Sequence, residues 1–207
     1  MKMKPWVLAA AVLIAWGMKR HYSGARVDDL EWILNPTARL VGLMTHTTFV
    51  FQPGEGYFSR DRLFLIEKSC AGINFMIAAF GMVILALLHR LGSGMSAARL
   101  LGVSLLASYS AAVLVNAVRI AIAMWLAAHP AALSTFSAAD IHRFEGITVY
   151  FAGLVLLYEL VKRLDRGAFP VGRTLARRES ALPALGAEAR SALPALGAEA
   201  RSAKAAP

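Results

Sequence analysis

Three side chains in this sequence could together transfer an acyl group: the thiol of Cys70, the guanidinium of Arg119 and the imidazole of His142. A thiolate attacks a carbonyl, a cation stabilises the oxyanion that develops, and an imidazole protonates the departing amine near neutral pH. Each of the three alone has a plainer explanation. Cys70 is the single cysteine, so it makes no internal disulfide and is either a small packed group or a reactive one. Its run, Glu67-Lys68-Ser69-Cys70-Ala71-Gly72-Ile73-Asn74, stands where an apolar stretch begins. A thiol at a helix N-terminus meets unpaired N–H groups and the positive end of the helix dipole, both of which favour the thiolate. Ala71 and Gly72 are small enough to admit another backbone.

Arg119 lies in Asn116-Ala117-Val118-Arg119-Ile120, with apolar neighbours on both sides. An arginine inside a membrane span costs about 2.5–3.5 kcal/mol on insertion scales, so it needs a partner. Asn116, one turn earlier, is on the same helical face. The competing reading is an interfacial arginine that snorkels to water. His142 falls in Asp140-Ile141-His142-Arg143-Phe144-Glu145-Gly146, where Asp140 or Glu145 could orient the ring. Its alternative is a solvated, inert loop histidine, and His21, His46 and His129 fall on the same predicted side. Asn116, Asn74 and Glu145 complete the candidate set as supporting groups.

The elements that must position these residues follow from composition. Of the 207 residues, 57% are hydrophobic and 17% charged, with a mean hydropathy of +0.54 and a net charge of +9. Soluble domains average about 45–50% apolar and about 25% charged residues, so an ordinary soluble domain is excluded. Nine of the 22 Lys and Arg residues follow residue 161, beyond the last apolar run, and basic flanks of this kind report membrane orientation rather than nucleic-acid binding. No zinc-type Cys/His spacing, P-loop or dinucleotide fingerprint is present in the sequence.

Residues 5–18 form a first apolar run between Lys4 and Lys19. It covers about 21 Å of a roughly 30 Å hydrocarbon core, so the lysines would snorkel. A signal peptide competes, but no convincing small-x-small cleavage site follows, and a retained anchor is expected. Residues 71–88 make a span of nearly ideal length, closed by His89-Arg90. Residues 100–128 would extend about 43 Å as one helix. The expectation is a span ending near Asn116, continued by a tilted or interfacial helix over 120–128 to the His129-Pro130 break. A polar loop over 134–145 and a last span over 146–161 follow. Segment 19–69 reads as solvated, with an Asn35-Pro36 break, an interfacial stretch over 38–51, and a short helix followed by a strand or hairpin around Pro53-Gly54.

Past residue 165 the run ALPALGAEARS occurs twice in tandem, at 181–191 and 192–202, with a proline in each copy. Such a segment is expected to be a disordered, low-complexity cytoplasmic tail. The fold class expected is therefore an all-α polytopic membrane bundle of about four spans over 1–165, followed by a tail over 166–207. The basic flanks Lys2 and Lys4, Arg90 and Arg99, and Lys162, Arg163 and Arg166 then share the cytoplasmic side, and segments 19–70 and 116–146 share the outer face.

At these residues the chain resembles the exosortase/archaeosortase family. Cys70-Ala71-Gly72 is similar to the family's Cys-x-Gly element, Asn116-Ala117-Val118-Arg119 to its Asn-x-x-Arg element, and His142 to its later histidine before a last span. The runs around Cys70 and His142 look most like the compact exosortase K subgroup, and the resemblance covers roughly residues 1–165. It implies a cysteine peptidase or transpeptidase of the inner membrane that cleaves C-terminal sorting signals of membrane-anchored proteins through a thioester. Cys70 would be the nucleophile, Arg119 the charge stabiliser and His142 the acid. The acyl group would pass to water or to an acceptor molecule in the envelope, with the lipid bilayer as surroundings, no nucleic acid as partner and no cofactor or metal. The chain departs from the commoner form in having Ala71 where Ser is usual, and in having about four spans where many relatives have about eight. The alternative from a different class is a non-enzymatic membrane scaffold or small transporter subunit with a structural Cys70 and Arg119. A transporter would carry ionisable residues deep in several spans, and this sequence shows few.

Overall fold

The computed structural model describes residues 4–92, 95–129 and 138–167. Residue contacts divide the chain into a unit over Met1–Lys162, to which the description below belongs, and a second over Arg163–Pro207. The tail expected over 166–207 lies outside the described residues apart from its first two positions.

Helix α1 spans Lys4–Gly24, and a 3-10 turn at Asp28–Leu30 leads into α2, Glu31–Thr45. Three short strands follow: β1 (Val50–Gln52), β2 (Gly56–Ser59) and β3 (Phe64–Ile66). They form an antiparallel sheet in the order β1-β2-β3, with Phe51 opposite Tyr57 and Phe58 opposite Leu65. The Pro53-Gly54 turn joins β1 to β2 as the sequence predicts, and the third strand is an addition. A 3-10 turn at Lys68–Ala71 precedes α3 (Ile73–Leu87), and α4 (Ala97–Ala128) and α5 (Ala138–Gly167) complete the fold.

Among the described residues three segments are long and apolar enough to cross a membrane: Lys68–Leu91, Ala97–Ala128 and Arg143–Arg166. Helix α1, with its shorter apolar run, lies antiparallel along α3. Near one end Val7 clusters with Val83 and Leu87, in the middle Ala11 packs with Phe80 and Ile84, and near the other end Lys19 Nζ donates to Asn74 Oδ1 at 2.8 Å. Its 21 residues rise about 31 Å, so α1 runs the whole length of its neighbour.

Three expectations are corrected. The helix expected to end near Asn116 is one continuous 32-residue helix, α4. No glycine or proline lies between 103 and 129 to end it, and the polar pair that suggested a break is buried and bonded inside the bundle. The polar loop expected to reach Glu145 is helical from Ala138, because Ala138, Ala139, Arg143 and Glu145 are good helix formers with no breaker among them. Residues 130–137 lie outside the described residues. Lastly, Asn35-Pro36 does not interrupt the chain, since Pro36 sits inside α2. A proline there removes the N–H that would bond the carbonyl of Trp32, four residues earlier. Tyr109 of α4 supplies the missing donor: its hydroxyl donates to the Trp32 carbonyl at 3.0 Å, and the two rings stack 5.8 Å apart.

The largest core cluster joins α2, the sheet, α3 and α4, with Leu30, Ile33, Val41, Ile66, Ala79 and Ala112 all inaccessible or nearly so. Buried alanines and Gly153 let the helices approach closely. A Cβ at Gly153 of α5 would come within 2.7 Å of Val115 on α4, so only glycine fits at that crossing.

Candidate active site

Cys70 occupies the 3-10 turn between β3 and α3, three residues before α3 begins. Its amide donates to the Glu67 carbonyl at 2.9 Å, which closes the turn, and its side chain is half-buried. Ser69 Oγ lies 3.8 Å from the Cys70 sulfur and donates to Glu67 Oε1 at 2.7 Å. Gly72 then reverses the chain into α3 with a φ of +68°. A Cβ there would lie 3.1 Å from Asn116 Cγ, so both the backbone angle and the packing call for glycine. This explains the Cys-x-Gly spacing: the residue two after the thiol is the one pressed against α4.

Asn116 is fully buried on α4 and holds the site together through one carboxamide. Its Nδ2 donates to the Cys70 carbonyl. Its Oδ1 accepts from Arg119 Nε at 3.3 Å and from the Tyr150 hydroxyl at 2.9 Å. Two donors on the oxygen leave the NH2 group for the carbonyl, so the amide orientation is set by its partners. Arg119 is only 8% exposed, which excludes the snorkelling reading. Its guanidinium lies over the Tyr150 ring, 5.4 Å from the centroid, a cation–π geometry. On the α5 side a Cβ at Gly146 would lie 3.7 Å from Arg119 Nη1, and half-buried Glu145 is coupled electrostatically to the same guanidinium.

The fold therefore brings Cys70, Asn116, Arg119 and Glu145 to one place. His142 is helical rather than in a loop, one turn before Gly146 in α5, and its side chain and that of Asp140 lie outside the described residues. Asn74 does not join the network. It is exposed and accepts from Lys19, linking α1 to α3. His129 ends α4 with its ring stacked on Trp125 at 4.8 Å and Nδ1 2.8 Å from the Trp125 carbonyl.

Sequence reasoning missed Tyr150, Tyr22 and Lys68. Tyr150 is the bonding partner just described, and its other ring neighbour is Phe75, 5.2 Å away. A tyrosine within an apolar helix is itself a signal, because a buried hydroxyl needs an acceptor. Lys68 ties the Cys70 turn to the end of α1: its Nζ donates to the Ala25 carbonyl at 2.7 Å and lies 5.2 Å from the Tyr22 ring centroid. Among the described residues no group of three or more His, Cys, Asp or Glu side chains is placed to hold a metal ion. Comparison with protein-family models, with curated proteins and with solved structures finds no match to this chain.

Proposed function

We propose that this chain is an integral membrane cysteine peptidase or transpeptidase, of the exosortase/archaeosortase kind, which removes a C-terminal sorting signal from membrane-anchored proteins. The observation that carries the reading is the Asn116 carboxamide, bonded at one end to the Cys70 turn and at the other to the buried Arg119. Burying an arginine is expensive, and a bundle that needed only packing would be served by an apolar residue there. A permanent cation tied to the backbone of a thiol-bearing turn is the arrangement that acyl transfer uses.

In this mechanism the Cys70 thiolate adds to the scissile carbonyl and forms a carbon–sulfur bond, while the carbonyl electron pair moves to oxygen under the field of Arg119. Collapse of the adduct breaks the carbon–nitrogen bond. The nitrogen takes that electron pair and a proton from His142, and the signal peptide leaves as an amine. Water or an envelope nucleophile then attacks the thioester, gives its proton to His142 and releases the thiolate. Helices α1, α3, α4 and α5 cross the inner membrane with their basic flanks inside, and the Cys70 turn meets the outer face.

The test is co-expression with candidate proteins that end in a short motif, an apolar helix and a basic tip, followed by mass analysis of their C-termini. A new free carboxylate shows hydrolysis, and an adduct shows transfer. Intact substrates throughout, or processing that survives Cys70→Ser, would remove the enzyme reading and leave a membrane scaffold.

A further inference from the structure

The mechanism above makes no use of Tyr150, although it is a half-buried ionisable group at the centre of the site. Its hydroxyl donates to Asn116 Oδ1 at 2.9 Å, its ring lies under the Arg119 guanidinium at 5.4 Å, and its electrostatic neighbours include Cys70, Glu145 and Tyr22. Asn116 is the only described residue that bonds both the Cys70 turn and Arg119. An amide in that position works in one orientation. If it flips, its NH2 group points at the Arg119 donor and its oxygen at the Cys70 carbonyl, and both contacts become repulsive. Arg119 Nε supplies one donor to the oxygen, at a long 3.3 Å. The Tyr150 hydroxyl supplies the shorter one, from a different helix.

We propose that Tyr150 is a positioning residue that acts through Asn116: it locks the carboxamide in the orientation that holds the Cys70 turn, seats the Arg119 guanidinium on its ring, and so registers α5 against the nucleophile. The consequence reaches the acid as well, because His142 lies two turns before Tyr150 on the same helix. One hydroxyl thus sets α5 in register with α4 at the level where both reactive groups must meet. The catalytic part of this inference rests on the peptidase reading, while its geometric part does not.

The two parts are separated by using two readouts on the same variants. Because Cys70 is the single cysteine, the rate of its alkylation by N-ethylmaleimide in the full-length membrane-embedded protein reports the turn without any substrate. Tyr150→Phe keeps the ring and removes only the hydroxyl, and Asn116→Ala removes its acceptor. Each single variant is expected to change the alkylation rate in the same sense, and the double variant is expected to match Asn116→Ala alone, since a residue acting through another has nothing left to act on. In the processing assay Tyr150→Phe should lower kcat about tenfold, the scale of one lost hydrogen bond, with KM little changed. Tyr150→Leu, which also removes the ring from beneath Arg119, should lower it further. Multiplicative effects in the Tyr150→Phe, Asn116→Ala double variant, or a Tyr150→Phe protein alkylated at the wild-type rate, overturn the proposal. Non-additive alkylation across the three variants, together with a wild-type protein that processes nothing, upholds the geometry and counts against the peptidase reading alone.

Discussion

At the scale of single residues, the proposed chemistry turns on side chains whose alternatives are close in size and wrong in kind. Replacing the Cys70 sulfur by oxygen changes volume little but leaves a far weaker nucleophile at neutral pH, so Cys70→Ser should abolish processing at an unchanged protein level. Arg119→Lys should be severely impaired as well, because the Nε that bonds Asn116 and the flat group that lies on Tyr150 are both lost, and a point charge on a flexible stem replaces neither. The histidines divide on placement. His129 is held at the end of α4 by Trp125 and lies about 15 Å along that helix from Arg119, whereas His142 is one turn from the glycine that abuts the guanidinium. Turnover should therefore fall about a hundredfold or more in His142→Ala and only a few-fold in His129→Ala. A parallel processing assay of the two checks this, and the opposite ranking removes His142 from the mechanism. Gly72→Ala combines a left-handed backbone with a Cβ against Asn116, and should cost about 1–2 kcal/mol in thermal unfolding and lower activity too.

At the scale of elements, two contacts decide how α2 and α5 sit on α4. Pro36 leaves the Trp32 carbonyl without its helical donor, and Tyr109 replaces it from outside the helix. Tyr109→Phe should then be destabilising in the natural background but close to neutral when combined with Pro36→Ala, which restores the helix's own N–H. Unfolding midpoints of the four proteins measure the coupling, and simple additivity would disprove the compensation. On the other side, Gly153→Val should push α5 away from Val115 and, because Tyr150 is less than one turn from Gly153, loosen the bond to Asn116. Processing and stability are expected to drop together, and stability by more than in Tyr150→Phe, which keeps the helix contact and gives up a single hydrogen bond.

The whole molecule carries the prediction of sidedness. The sheet and the Cys70 turn lie on one side of the proposed spans, and the α3–α4 connection lies on the other. In a Cys70→Ala background, a cysteine at exposed Asp61 should react with a membrane-impermeant thiol reagent in intact spheroplasts, and one at exposed Ala98 should react only after lysis. The reverse pattern inverts the topology. The tandem repeats are outside the described residues and are expected on the cytoplasmic side from the basic flanks alone, so a chain ending at Ser180 should retain processing.

Features that depend on local composition and spacing were legible in the unfolded chain. Runs of apolar residues too long for a soluble core marked the helices at 71–88 and 146–161, the Pro53-Gly54 pair marked the hairpin, and Cys70, Arg119 and His142, with Asn116, Asn74 and Glu145 in support, marked the candidate site. Spacing of three within a helix also paired Asn116 with Arg119, since that geometry is fixed by the helix itself. Tertiary structure decided the rest, because it depends on partners distant in sequence. Asn116 meets Cys70 across 46 residues and Tyr150 across 34, and no local pattern encodes either bond. The same applies to the unbroken α4: Asn116 and Arg119 look like a break until a carbonyl, a hydroxyl and an aromatic ring from other elements satisfy them, after which the helix has no reason to end. Pro36 and Asn74 make the point in reverse, a breaker rescued by Tyr109 and a candidate drawn away to Lys19, each by a single contact that only the folded chain supplies.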